Sequence, residues 1–183
     1  DYDDSDLFVG AAGVIDEGVI VGSVDWVSAK RLRGVERQAS KATAFVRVPE
    51  AQARCSGFLI APDLLMTNHH CIPSAHFAQR VTANFRYETR WDESGLFTCD
   101  DYVAGDADLD YAIVRCAGRP GDTFGVLSLD DAAVDENTRV QLFHQQCDYF
   151  TDRECVPLKK MSPGKITGGI GVTRLTHDAD ILG

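Results

Sequence analysis

The chain is 183 residues long and 44% hydrophobic, with 28 acidic against 18 basic side chains and a formal charge of −10. That apolar share can build a sizeable core, in one domain or two small packed ones, and excludes a disordered chain. The acidity argues against phosphate backbones and anionic membranes, so no nucleic acid and no membrane is expected as a partner, and no apolar run reaches the length of a bilayer span.

Residues 1–18 carry Asp1, Asp3, Asp4 and Asp6 followed by small residues and glycines, without sustained periodicity. They read as a leader, and residues 1–41 as an N-terminal segment. The chain begins at Asp1 rather than Met, so any export signal is expected to have been removed. From residue 42 onward come short β-type runs at 44–48, 57–60, 64–67, 81–87, 96–103 and 111–116, separated by turn formers. This spacing predicts a first barrel or sandwich over 42–117. Gly118-Arg119-Pro120-Gly121 breaks regular structure, and residues 122–134 read as a connector. A second β-rich set follows at 138–143, 155–158, 164–168 and 171–175, so 118–183 reads as connector plus further strands. Gly168-Gly169-Ile170-Gly171 is not followed by a helical pattern and reads as a hairpin turn rather than a phosphate loop.

The six cysteines form an even set without Cys-x-x-Cys spacing. Disulfides are therefore expected in preference to a zinc site, and with them an oxidising compartment, secreted or periplasmic. Six cysteines leave about 15 pairings open.

Two stretches hold chemistry. Residues 55–71 read Cys-Ser-Gly-Phe-Leu-Ile-Ala-Pro-Asp-Leu-Leu-Met-Thr-Asn-His-His-Cys, two apolar strands around a Pro62-Asp63 turn with Thr67 leading toward His70. Residues 109–114, Leu-Asp-Tyr-Ala-Ile-Val, set Asp110 directly before an apolar strand. Asp106 and Asp108 extend it to an Asp-x-Asp-x-Asp string, but the glycine and distal glutamate of a calcium loop are missing, so these two read as a solvated turn.

The first stretch resembles the histidine segment of chymotrypsin-fold serine proteases, and the second resembles their aspartate segment. In the second half, Met161-Ser162-Pro163-Gly164-Lys165-Ile166-Thr167 and the run from Thr176 to Gly183 are similar to the bacterial glutamyl endopeptidase-like group. The resemblance implies an all-β fold of two packed antiparallel β-barrels, the second incomplete in this chain. It implies a secreted serine endopeptidase acting on protein or peptide substrates without a cofactor or metal, with His70 as general base and Asp110 as the acid that fixes its tautomer. It also implies disulfides Cys55–Cys71, Cys99–Cys116 and Cys147–Cys155. Val19-Ile20-Val21-Gly22 resembles the start of a mature protease, as in a processed zymogen.

The family's Gly-x-Ser-Gly is not among the 183 residues. By the register of relatives the serine would lie three residues beyond Gly183. This chain alone is then expected to be inactive, and the C-terminal remainder, as a second chain, is expected to complete the barrel and supply the oxyanion donors. Asp180 lies where trypsin-like members hold the acid that pairs with Lys or Arg, and Ile181 stands where members cutting after Glu carry threonine. Cleavage after Arg or Lys is the favoured expectation, with a glutamyl-specific enzyme as an alternative. His69 reads as a loop residue, Ser56 as a small residue on the wall of the site, Ser162 as a turn residue, and His144 as part of a loop that often holds His-Pro. Two other classes compete: a catalytically dead protease-like binding module, and a metal hydrolase using His69, His70 and an aspartate. Adjacent side chains on an extended segment point apart, which makes shared ligation awkward.

Overall fold

The computed structural model describes residues 25–145, 158–169 and 175–181. In chain order the elements are β1 (Val27–Ser28), α1 (Gly34–Ala42), β2 (Thr43–Val48), β3 (Ala53–Ala61), β4 (Leu64–Thr67), α2 (Ala75–Ala78), β5 (Thr82–Asn84), β6 (Leu96–Thr98), β7 (Asp101–Asp106) and β8 (Tyr111–Arg115). They continue with α3 (Gly121–Phe124), β9 (Arg139–His144), β10 (Lys160–Gly168) and β11 (Thr176–His177). The chain is mostly β, as expected, in two antiparallel sheets.

The first sheet runs β6-β5-β2-β3-β4-β8-β7. Its centre follows from side-chain alternation: Ala44, Val46 and Val48 of β2 lie on one buried face with Leu59, Leu65, Ala83, Ala112 and Val114 from the neighbouring strands. Gly57 of β3 is required by close approach, since a Cβ there would stand 2.9 Å from Val46 Cγ2 and 3.0 Å from the Met66 carbonyl oxygen. The two edge strands, β6 and β7, are successive in the chain and separated only by Cys99 and Asp100. The sheet must therefore curl until its ends meet. Ala117 N–H donates to Thr98 O at 2.9 Å and the Cys99–Cys116 disulfide holds that seam.

Two strand expectations change for this reason and a related one. The run 96–103 divides at Cys99–Asp100 because the chain passes there from one sheet edge to the other. The run 81–87 shortens to β5 because the Asn84 side chain takes over backbone partners: its Oδ1 accepts from Arg86 N at 2.7 Å and its Nδ2 donates to Asp92 O at 3.2 Å.

In the second sheet β10 pairs with β9 from Lys160 to Lys165, with β1 at Lys160 and Met161, and with β11 from Ile166. Ala29, Leu32 and Met161 form its small core, with Val27 and Phe143 against them. Ser162, read from the sequence as a turn residue, lies instead inside β10 and is fully buried. The Pro163 that suggested a turn is tolerated because β1 stops at Met161 and β11 begins at Ile166, leaving no ladder on that edge for a missing N–H to break. His144 likewise ends strand β9 instead of lying in a loop. Cys147, Cys155, the segment Val19-Ile20-Val21-Gly22 and most of the expected strands 155–158 and 171–175 lie outside the described residues.

Lys159 joins the two sheets. It is fully buried at the head of β10, and its ammonium donates to the carbonyls of Ser40, Thr43 (2.7 Å) and Phe85 (3.3 Å), 4.8 Å above the Tyr87 ring. Burial pushes this amine down to about 7, opposed by the Glu88 charge and reinforced by that of Arg37, while the three carbonyls and the aromatic face solvate the charged form. Helix α1, to which the sequence reading assigned no element, supplies the Ser40 carbonyl and covers β2.

Candidate active site

Strands β4 and β8 are neighbours, and their register pairs Thr67 with Ala112. Both strands therefore deliver their flanking turns to one end of the sheet: Asn68 to Ile72 after β4, and Asp106 to Asp110 before β8. Each turn is fixed locally. Asn68 O accepts from Cys71 N at 3.2 Å and Ile72 N at 3.3 Å, Ile72 is fully buried, and the Cys55–Cys71 disulfide ties the turn to β3. Thr67 Oγ1 donates to Ser56 O at 2.7 Å, and Asp106 Oδ1 accepts from Leu109 N at 2.9 Å, which gives Asp106 a turn-forming role.

The structure brings His70 and Asp110 together. Asp110 Oδ2 lies 2.8 Å from His70 Nδ1, and Oδ1 accepts from the His70 backbone N–H at 3.0 Å. Asn68 Nδ2 donates to the same Oδ2 at 3.0 Å and reaches the Asp110 carbonyl oxygen at 3.4 Å. Partial burial works to raise the Asp110 carboxyl, but the hydrogen bonds from His70, the His70 charge and the Asn68 amide outweigh it and hold the group below its ordinary value. An ionised carboxylate only accepts, so the proton of the imidazole sits on Nδ1 and Nε2 presents its lone pair. The His70 side chain is 55% exposed, against 22% for Asp110. The arrangement is an oriented base with an open outer face.

The two serines weighed from the sequence, Ser56 and Ser162, are occupied. Ser56 Oγ donates to Gln145 Oε1 at 2.6 Å, a bond from the first sheet to the residue after β9. Ser162 Oγ lies 2.9 Å from His144 Nε2, but both residues are buried, so this second hydroxyl–imidazole pair is closed to substrate. Burial, helped by the nearby Lys160 charge and partly offset by Asp180, pushes His144 down to about 4. Asp180 is buried and accepts from Asp25 N at 3.2 Å, while Ile181 is half-buried beside it. Burial and the Asp180 charge raise the Asp25 carboxyl. Among the described residues no three His, Cys, Asp or Glu groups gather as metal ligands, and His69 takes no part in the His70–Asp110 contacts.

Asn68 and Gln145 escaped the sequence reading. Asn68 carried a signal in its position, an amide between the strand end and the histidine pair.

Residues 55–181 match the family described as the trypsin-like peptidase domain. The chain belongs to that family. Among curated proteins, this trypsin-like peptidase chain is 35% identical over 130 residues to the uncharacterized protein y4fB of Sinorhizobium fredii, a match that covers 61% of the chain and 19% of that relative. The chain thus spans about a fifth of the length of the curated relative it matches. Solved structures share its fold. One titled Glu endopeptidase in complex with MPD superposes with a TM-score of 0.61 at 17% identity, covering 82% of this chain and 72% of that one. The inactive form of a serine-to-alanine mutant of Rv3671c from M. tuberculosis gives 0.58 at 19% identity, covering 88% and 76%. At these identities the likeness is one of architecture, the chymotrypsin-like pair of β-barrels.

Proposed function

We propose that this chain is the His- and Asp-bearing part of a secreted serine endopeptidase, with His70 as general base and Asp110 as the acid that fixes its tautomer. The 2.8 Å contact between Asp110 Oδ2 and His70 Nδ1 carries the reading. Family membership supports it, and the Cys55–Cys71 and Cys99–Cys116 disulfides support an oxidising compartment. Acyl transfer also needs a hydroxyl nucleophile at His70 Nε2 and backbone donors for the oxyanion. The proposal assigns both to a Gly-x-Ser-Gly segment on the C-terminal remainder, whether continuous with this chain or bound to it as a second polypeptide. The reaction is then attack of that serine on the peptide carbonyl as His70 takes its proton, return of the proton to the leaving amine, and hydrolysis of the resulting acyl-enzyme by a water that His70 deprotonates in turn, which restores the serine.

For specificity the proposal is cleavage after Arg or Lys, with Asp180 as the acidic group of the substrate pocket. Its buried carboxylate supports this, and exchange of the Asp25 N–H contact for the incoming cation would accompany binding. Peptides differing only in Arg, Lys or Glu before the scissile bond test it, and preferred cleavage after Glu would transfer the assignment to the glutamyl alternative. The catalytic reading is tested in the protease carrying its serine segment. Asp110→Asn should lower kcat about 10⁴-fold, since an amide in that place favours the wrong tautomer. Reaction of a fluorophosphonate with the wild type and not with His70→Ala is expected. Equal labelling of the two would overturn the assignment of His70 as base.

A further inference from the structure

The Asp110 carboxylate has three N–H donors, and two of them belong to His70 itself: the backbone N–H on Oδ1 and ring Nδ1 on Oδ2. An acid held only by the base it orients would follow that base wherever it moved. Asn68 supplies the third donor and is independent of the ring. Its side-chain amide contacts both Oδ2 (3.0 Å) and the Asp110 carbonyl oxygen (3.4 Å). Its own backbone is pinned, because its carbonyl accepts from Cys71 and Ile72, one in a disulfide and the other fully buried.

The backbone of Asp110 shows what this contact works against. Its φ is 51°, in the left-handed region that few residues other than glycine, asparagine and aspartate adopt. The residue sits on a turn ending in that conformation, braced from within by Leu109 N donating to Asp106 Oδ1 and closed at its base by the Asp106–Tyr111 pair. A carboxylate on such a pivot needs an outside anchor if its oxygens are to face the imidazole in one orientation.

We infer that Asn68 is a positioning residue for the proposed His70–Asp110 pair, clamping both the backbone and the carboxylate of Asp110 to the rigid end of β4. This rests on the reading of His70 and Asp110 given above. Because an ionised carboxylate offers acceptors alone, the amide must present its NH2 group to Oδ2. A side chain of the same shape without that donor therefore separates a positioning role from simple packing.

The test is NMR on the protein labelled with 13C-carboxyl aspartate and 15N histidine, in wild type, Asn68→Ala, Asn68→Asp and Asp110→Asn. In wild type a far-downfield His70 Nδ1–H resonance is expected, lost in Asp110→Asn. In Asn68→Ala the Asp110 titration midpoint should move up, because a hydrogen bond to the charged form is lost, and the Nδ1–H should exchange faster with water. Asn68→Asp, isosteric but charged, should move the midpoint further up. Asn68 is exposed, so thermal unfolding should change little in either variant. In the complete protease Asn68→Ala should lower kcat about tenfold with KM unchanged. Wild-type behaviour of both Asn68 variants in titration and exchange would overturn the assignment. Absence of any Asp110-dependent Nδ1–H resonance in the wild type would instead overturn the His70–Asp110 reading, and this inference with it.

Discussion

His144 shows how one buried side chain sets a pH limit on this molecule. Burial holds it at about 4, against an ordinary value of 6.5, and its ring is packed edge-on to Trp26 with Nε2 on Ser162. A base whose folded value is depressed is protonated first in the unfolded chain. The stability it gives is complete above about 6.5 and is lost as the pH falls from there to about 4, by roughly 3 kcal/mol. Urea unfolding at pH 7 and pH 4.5 should show that loss, and His144→Gln should flatten the slope within this window. An unchanged slope in the variant would place the acid sensitivity elsewhere.

The β3–β4 unit carries the proposed base, His70, and two features hold its geometry. The Cys55–Cys71 bridge spans a sequence separation of 16 that takes in most of β3, all of β4 and His70. In the chain-entropy account a loop of that length stabilises by about 3 kcal/mol. The double variant Cys55→Ala/Cys71→Ala should lose about 2–3 kcal/mol in denaturant unfolding, and amides 68–72 should exchange faster while those of the central strand β2 keep their order of protection. Gly57 is the second feature. Gly57→Ala would press a methyl group against Val46 and the Met66 carbonyl, and should cost about 1–3 kcal/mol, measured in the same way. The central backbone cannot yield there, because β3 is paired on both sides, with β2 and β4.

Across the whole molecule the two sheets are joined by polar contacts as well as by packing. Lys159 reaches from just before β10 to carbonyls of α1, β2 and the residue after β5, Ser56 bonds Gln145, and Gln141 of β9 bonds Glu36 of α1. Lys159→Met keeps the volume but takes the ammonium from three buried carbonyls, of which the Ser40 oxygen keeps the Thr43 N–H. It should cost about 3 kcal/mol or more and broaden thermal unfolding by uncoupling the sheets. A variant as stable as the wild type would show that the carbonyls find other partners.

Much of the architecture and half of the candidate site can be read from the residues alone, because their information is local. A strand, a Pro-Asp turn, a second strand and a histidine locked to a cysteine form one continuous stretch, and an aspartate before Ala-Ile-Val forms another. Such segments owe their shape to nearest neighbours, and the resemblance they carry needs no knowledge of distant contacts. Tertiary structure decided everything that depends on residues far apart in the chain. It set Thr67 beside Ala112 and so His70 beside Asp110, and gave the Asn68 amide an aspartate 42 positions away. The curl that joins β6 to β7 broke one apolar run into two strands, since the seam lies at Cys99–Cys116. Ser162 and His144 became a sealed pair because β9 and β10 bury them together, and Asp180 became a buried acceptor because the chain near Asp25 closes over it. Composition and spacing carry no record of these outcomes, which follow from the register of paired strands and from where each sheet meets the other.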